Sequence, residues 1–282
     1  MRTACAKVNL WLNVVGRRAD GYHLLDSLVA FVDLADTVDA QRSDRLSLEV
    51  TGPGSAALAG EADNLVLKAA RLLAERAGVP PLAALSLVKR IPVAAGLGGG
   101  SADAAAALHV LAELWRLALP EDTLLEVAGA LGADVPMCLA GRTALATGIG
   151  DRLQPAPALP PLAILLVNPG VALPTRDVFA ARRGPFAPAR PMQPAWRDVP
   201  DLVAVLAERG NDLTEAAISL QPVVAEVLAF LRRGEGTRYV AMSGSGATCY
   251  ALYDTVAAAR RAAAAVPDTW WRHAGGFVSP PA

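Results

Sequence analysis

Pro92-Val93-Ala94-Ala95-Gly96-Leu97-Gly98-Gly99-Gly100-Ser101-Ala102 is the stretch that decides how this chain reads. Before it, Leu85 to Ile91 suits a strand that Pro92 ends. After it, an alanine-rich segment from Ala102 to about Leu117 suits a helix. A strand, a glycine run and a helix N-terminus make an anion site. Glycines let backbone N–H groups close around phosphate oxygens, and the helix dipole adds positive potential. Ser101 offers a hydroxyl to phosphate or to a metal ion. The run is not a Walker A loop, since no Gly-Lys-Ser/Thr ends it. Nor does it fit the dinucleotide pattern, because Ser101 stands where the third glycine belongs. The competing reading is tight helix–strand packing or a flexible loop.

Working outward, residues 4–15 suit a strand, residues 16–21 a turn, and Leu24 to Val38 further strand with short polar breaks. Arg45 to Val50 alternates as a strand does, and Asp63 to Ala77 and Glu121 to Leu131 read as helices. Pro155-Ala156-Pro157-Ala158-Leu159-Pro160-Pro161 reads as a semi-rigid link. It divides the chain into expected domains 1–154 and 162–282. Beyond it come a strand at Leu162–Val167, a proline-rich surface loop from Pro185 to Pro200, and helices near Asp201–Arg209 and Pro222–Arg233. A strand pair, Tyr239–Met242 and Thr248–Tyr253, brackets Ser243-Gly244-Ser245-Gly246. The irregular mixture of helix and strand predicts an α+β fold.

Composition narrows the function. The 282 residues carry a net charge of −1, so no overall basic field steers the chain to nucleic acid or an anionic membrane. No run of about 20 apolar residues lacks charge, and polar Asn9 and Asn13 come before a signal-peptide core could form, so neither a membrane span nor a secretory leader is expected. Cys5, Cys138 and Cys249 lack metal or disulfide spacing, as in a reducing compartment. Cationic residues are mostly arginine: 23 of them, against three lysines at Lys7, Lys68 and Lys89.

Three other stretches carry chemistry-bearing residues. Lys7 and Asn9 share one face of the first strand. A solvated edge is the plainer reading of that face. Tyr22-His23 pairs an aromatic platform with a hydrogen-bonding ring, a combination that suits a planar base, although a lone histidine is more often structural. Asp134, in Gly132-Ala133-Asp134-Val135-Pro136, either caps the next turn or serves as a base beside a lysine.

Together these stretches resemble one family. Ala6-Lys7-Val8-Asn9-Leu10, Arg18-Ala19-Asp20-Gly21-Tyr22-His23, residues 92–101, Gly132–Pro136 and Ser243–Gly246 occur in the order found in the GHMP small-molecule kinase superfamily. The Ala-Lys-x-Asn start with Asp-Gly-Tyr-His is similar to its branch acting on a cytidine-diphosphate-linked methylerythritol. The resemblance spans nearly the whole chain. It implies a two-domain fold: an ATP-binding domain like ribosomal protein S5 domain 2, a ferredoxin-like α/β sandwich, and an active site in the cleft between them.

The resemblance also implies a reaction, transfer of the γ-phosphoryl group of ATP, with Mg²⁺, to the 2-hydroxyl of that substrate on the non-mevalonate route to isoprenoid precursors. Asp134 would accept the hydroxyl proton while Lys7 steadies it. Residues 92–102 would hold the ATP phosphates, with Asn64 and Lys89 near the adenine. Asn9, Tyr22, His23, Thr175 and Phe179 would bind the cytidine substrate. No metal ligand is assigned. The implied setting is cytoplasmic, as a monomer or homodimer without nucleic-acid or membrane partners. Ala102 departs from relatives that carry a second hydroxyl there. The alternatives are a mevalonate- or homoserine-type kinase of the same superfamily, for which Tyr22-His23 would be superfluous, and a non-catalytic member. Retention of Lys7 and Asp134 argues against the last.

Overall fold

A computed structural model describes residues 1–58, 64–188, 190 and 195–278. In chain order its elements are β1 (Arg2–Arg17), β2 (His23–Gln41), β3 (Ser47–Thr51), α1 (Leu65–Ala77), β4 (Ala84–Val88), α2 (Gly99–Trp115), α3 (Glu121–Leu131) and α4 (Val135–Ala140). Then follow β5 (Ala144–Gly148), β6 (Arg152–Pro155), β7 (Ala163–Asn168), α5 (Thr175–Ala181), α6 (Val199–Arg209), α7 (Thr214–Leu220) and α8 (Val223–Arg232). β8 (Tyr239–Met242), β9 (Cys249–Tyr253), α9 (Val256–Ala263) and β10 (Trp271–Gly276) complete the chain. The mixture is α+β, as the sequence predicts.

The chain divides into two compact units, residues 1–7, 34–93 and 98–141, and residues 8–33, 94–97 and 142–278 of those described. In the first unit the end of β2 pairs antiparallel with β4, and β4 pairs parallel with β3. Helices α1, α2 and α3 pack over a core that includes Leu73, Leu87, Leu108 and Leu111. Ala102 and Ala104 to Ala107 are buried in α2, and their small side chains let neighbouring backbone come close.

In the second unit the start of β2 pairs with β5, and β5 with β6. A separate four-stranded antiparallel sheet runs β10-β7-β9-β8. All six residues of β7 are buried, which suits the apolar run from Ala163 to Val167. One face of this sheet, with Leu165, Val167 and Ala251, packs with Val224, Val227 and Leu228 of α8. From the other, the Tyr250 hydroxyl donates to the Leu10 carbonyl (2.7 Å).

Several expected boundaries move, three of them next to candidate residues. β4 stops at Val88 rather than Ile91, because the Arg90 and Ile91 N–H groups turn to Asp36 Oδ1. β2 is one unbroken strand from 23 to 41. Its acids do not interrupt it, since Asp26 and Asp36 point their carboxylates at cations and N–H groups instead. α2 starts at Gly99, inside the glycine run rather than after it. The expected start of α1 at Asp63 lies outside the described residues, as does part of the Pro185–Pro200 loop. Among the described residues, no helix is long and apolar enough to cross a membrane.

Candidate active site

The glycine run supplies a helix start with open N–H groups. Gly96 and Gly98 have φ of 74° and 64°, a region that glycine enters without steric cost. Gly98 is the N-cap of α2 and carries no side chain to cap it. The first intrahelical bond runs from the Ala102 N–H to the Gly98 carbonyl (2.9 Å). The N–H groups of Gly99, Gly100 and Ser101 are therefore the helix's unsatisfied donors, and no acid occupies the first turn. Such an end favours an anion.

Lys7 joins this loop to Asp134. Its Nζ lies 3.3 Å from Asp134 Oδ2. A Cβ added to Gly98 would stand 2.6 Å from Lys7 Cγ, so the lysine stem runs directly against the loop backbone. The Lys7 side chain is 8% exposed and that of Asp134 40%, leaving the carboxylate open to an incoming group. Asp134 precedes α4 but makes no side-chain capping bond, so the capping reading of this residue does not describe it.

Beneath the loop lies a buried ionic triad. Lys89 Nζ donates to Asp36 Oδ2 and to Asp103 Oδ2, the latter at 2.6 Å. All three side chains are at most 3% exposed. A Cβ on Gly99 would stand 3.0 Å from Lys89 Nζ, so the ammonium supports the first turn of α2 from below. One cation shared by two carboxylates leaves a net negative charge out of water. Burial accordingly pushes Asp103 up to about 7, against the pull of Lys89 and with the help of Asp36. Asp103 Oδ1 has no hydrogen-bond partner among the described residues. Lys89 thus has a structural role in the loop floor. Asn64 likewise caps α1, its Oδ1 accepting from the Val66 N–H (2.9 Å).

The second unit holds the remaining candidates. Asn9 is buried; its amide donates to Ser27 Oγ (2.8 Å), and its backbone N–H donates to Ser243 Oγ (3.1 Å). The Ser-Gly-Ser-Gly turn packs on the start of the glycine run. A Cβ on Gly96 would stand 2.5 Å from the Gly246 carbonyl oxygen, and Thr248 Oγ1 donates to the Ala95 carbonyl. Thr175 Oγ1 and Ser245 Oγ share a 2.9 Å hydrogen bond. His23 and Phe179, 156 positions apart in sequence, stack with ring centroids 5.0 Å apart and planes 22° from parallel. Tyr22 beside them is 60% exposed. Burial first, then the fields of Arg17 and Arg182, lower the His23 pKa. The shift favours the neutral ring, which has one donor and one acceptor nitrogen.

Within the first unit the structure brings together Lys7, Asp134 and the helical end of the run. Within the second it brings together His23 and Phe179, and Thr175 with the Ser-Gly-Ser-Gly turn. Pro92 and Val93 lead into the run, where Val93 is exposed and Ala95 and Leu97 are buried. The sequence reading missed Asp36, Asp103 and Ser27, and it marked the Ser243–Thr248 turn without assigning its side chains a role. One signal was available: Asp103 is the single charge between Ser101 and His109, in an otherwise apolar helical stretch.

Comparison with known proteins gives consistent matches. Residues 64–142 match the model of the GHMP kinases N terminal domain, and residues 194–271 that of the GHMP kinases C terminal. A 4-diphosphocytidyl-2-C-methyl-D-erythritol kinase of Paramagnetospirillum magneticum is 55% identical over 271 residues, covering 95% of each chain. One of Rhodospirillum rubrum is 50% identical over 281 residues, 99% of this chain and 92% of that one. A crystal structure of 4-(cytidine 5'-diphospho)-2C-methyl-D-erythritol kinase superposes with a TM-score of 0.81 at 38% identity, covering 99% of both chains.

Proposed function

The chain belongs to the 4-diphosphocytidyl-2-C-methyl-D-erythritol kinase family of GHMP kinases, and on that premise we propose how its residues divide the work. It is an ATP-dependent kinase that phosphorylates the 2-hydroxyl of 4-diphosphocytidyl-2-C-methyl-D-erythritol. The observation that carries the site assignment is the double contact of Lys7, against Gly98 and beside Asp134.

Residues 92–102 take the ATP phosphates. The open N–H groups of Gly99, Gly100 and Ser101 face the transferring end, and the field of α2 offsets the charge that develops there. Asn64 and Lys89 border the nucleotide side and keep the structural partners described above. Asp134 accepts the proton of the substrate hydroxyl. Lys7 holds that carboxylate in place and, through its stem, sets the distance from carboxylate to loop.

Mg²⁺ fits this donor set as an ion that arrives on the nucleotide. Among the described residues no group of three or more His, Cys, Asp or Glu side chains forms a cage. Mg²⁺ needs only one or two protein oxygens when phosphates complete its shell. Ser101 Oγ and the Asp134 carboxylate would be the oxygens that hold it. The ion's contribution when bound is to neutralise phosphate charge.

Asn9, Tyr22, His23, Thr175 and Phe179 bind the cytidine end. A neutral imidazole with one donor and one acceptor can read a cytosine edge, and the aromatic rings give the base a surface to stack on. The chain is proposed to work in the cytoplasm as a monomer or homodimer, with domains at 1–154 and 162–282. The family matches at 64–142 and 194–271 fall on either side of Pro155–Pro161, which supports that division.

An ATP-consumption assay tests the reading. It sets the diphosphocytidyl substrate beside mevalonate and homoserine, with and without Mg²⁺. The expected result is consumption with the cytidine substrate alone, and only with Mg²⁺. Faster turnover with mevalonate or homoserine would overturn it.

A further inference from the structure

The cytidine site proposed above leaves one part of its substrate without a partner: the diphosphate. A diphosphate lies one ribose away from a stacked base and carries charge that needs cationic donors. The second unit places two guanidiniums around the His23–Phe179 stack.

Arg17 ends β1 and His23 begins β2. The turn between them is closed by the Arg18 N–H donating to the Tyr22 carbonyl (2.7 Å). In the register set by that bond, Arg17 lies opposite His23, and opposite residues of an antiparallel pair are close neighbours on one face. Arg17 Nε donates to the Gly21 carbonyl (3.1 Å), which anchors the guanidinium at the turn. Arg17 itself is exposed, and among the described residues its Nη atoms make no hydrogen bond. The nearby acid is taken: Asp20 Oδ2 pairs with Arg18 (2.7 Å), and its Oδ1 accepts from the Tyr22 N–H (3.2 Å).

Arg182 approaches from the other ring. It is the C-cap of α5, three residues after Phe179, and so on the same side of the helix. Its guanidinium donates to the carbonyls of Gly184 (3.2 Å) and Pro185 (2.5 Å) and lies 5.4 Å from the Phe186 ring centroid. The nearest carboxylate, Asp212 Oδ2, is 3.9 Å away. The Arg182 side chain is 7% exposed and its Nε has no hydrogen-bond partner among the described residues, which compensate its charge only in part. The effect of both cations on the His23 ring agrees with this placement.

We propose that Arg17 binds the diphosphate of the cytidine substrate through its open Nη atoms, with the buried charge of Arg182 behind the rings strengthening the same anion subsite. Arg17 is the contact residue, because only its guanidinium is exposed. Arg182 is a positioning residue that acts through its field and through the loop it ties down at Gly184 and Pro185. A planar fork of donors suits a phosphate better than a point charge does.

The subsite rests on the cytidine reading, and titration calorimetry of the full chain with CDP and with cytidine tests the two separately. Wild type should bind CDP more tightly than cytidine. Arg17→Ala should weaken CDP about tenfold while leaving cytidine within about twofold. Arg17→Lys should recover part of the loss, and the CDP preference should shrink as salt rises. A folded Arg17→Ala protein that keeps the wild-type preference for CDP overturns the subsite and spares the base site. Equal losses for CDP and cytidine also overturn it, since Arg17 would then support the fold of the turn. If wild type binds neither ligand, the cytidine reading falls and takes the subsite with it.

Discussion

The two units hold candidate residues of different kinds. In the first, the working parts are backbone and charge: open N–H groups at Gly99 to Ser101, the Lys7–Asp134 pair, and a lysine clamped by Asp36 and Asp103 beneath the loop. In the second, the working parts are rings: His23 on Phe179, with Tyr22 exposed beside them. Backbone and charge suit phosphoryl transfer, which depends on position and field. Rings suit selection, because stacking and edge hydrogen bonds distinguish one base from another without touching the reacting atoms. Changes in the first unit should therefore lower turnover or ATP binding, and changes in the second should alter substrate affinity and choice.

The largest expected effect is at Asp134. Asp134→Asn keeps the size of the side chain and removes the proton acceptor. Turnover should fall by ~10²–10⁴, with ATP affinity unchanged by calorimetry. Near-normal turnover in the folded variant would leave Asp134 with a positioning role only.

Gly98→Val comes next. The branched side chain would enter a left-handed conformation and meet Lys7 Cγ at 2.6 Å from its Cβ. ATP affinity should drop about a hundredfold, with the circular dichroism spectrum retained. Unchanged affinity would make the loop a packing element and erase the contrast between the units.

This glycine run is also where the sequence spoke most clearly. Its anion-binding form follows from residue type alone, because glycine permits the positive φ at Gly96 and Gly98. The helix start was placed three residues late, since glycine's poor helix propensity hid a first turn made of Gly99, Gly100 and Ser101. The triad was not legible. Asp36 lies 53 residues from Lys89, and no local pattern shows that the two meet. Short elements such as α4, β6 and β10 were missed for the same reason, as they are set by tertiary pairing and not by periodicity. In the second unit, Tyr22-His23 was a weak signal by itself, and its pairing with Phe179 came from family resemblance.

Smaller effects belong to the rings. Tyr22→Ala or Phe179→Ala should weaken the cytidine substrate by roughly 5–150-fold, the range expected for one stacking contact. ATP affinity should stay within error. A matching loss of ATP affinity would show that the ring cluster is not confined to selection.

A separate effect is on stability. The folded state raises the Asp103 pKa from 3.8 to about 7, so it holds the proton at pH values where the unfolded chain has released it. The stabilisation linked to that proton is complete below the unfolded value and is lost as pH rises through the folded one. Urea unfolding between about pH 4 and pH 7 should show wild type losing stability relative to Asp103→Asn, with a slope approaching ~1.4 kcal/mol per pH unit. Parallel curves for the two proteins would mean that Asp103 stays charged and that the triad's burial carries no proton.

The division of labour itself is tested by one ratio, kcat/KM for the cytidine substrate over kcat/KM for its uridine analogue, measured in wild type, Asp134→Asn and His23→Ala. The account predicts a strong cytidine preference in wild type. The same preference should persist in Asp134→Asn at much lower absolute rates, and the ratio should fall toward one in His23→Ala. A wild-type ratio near one, or a preference that disappears in Asp134→Asn and survives in His23→Ala, would contradict it.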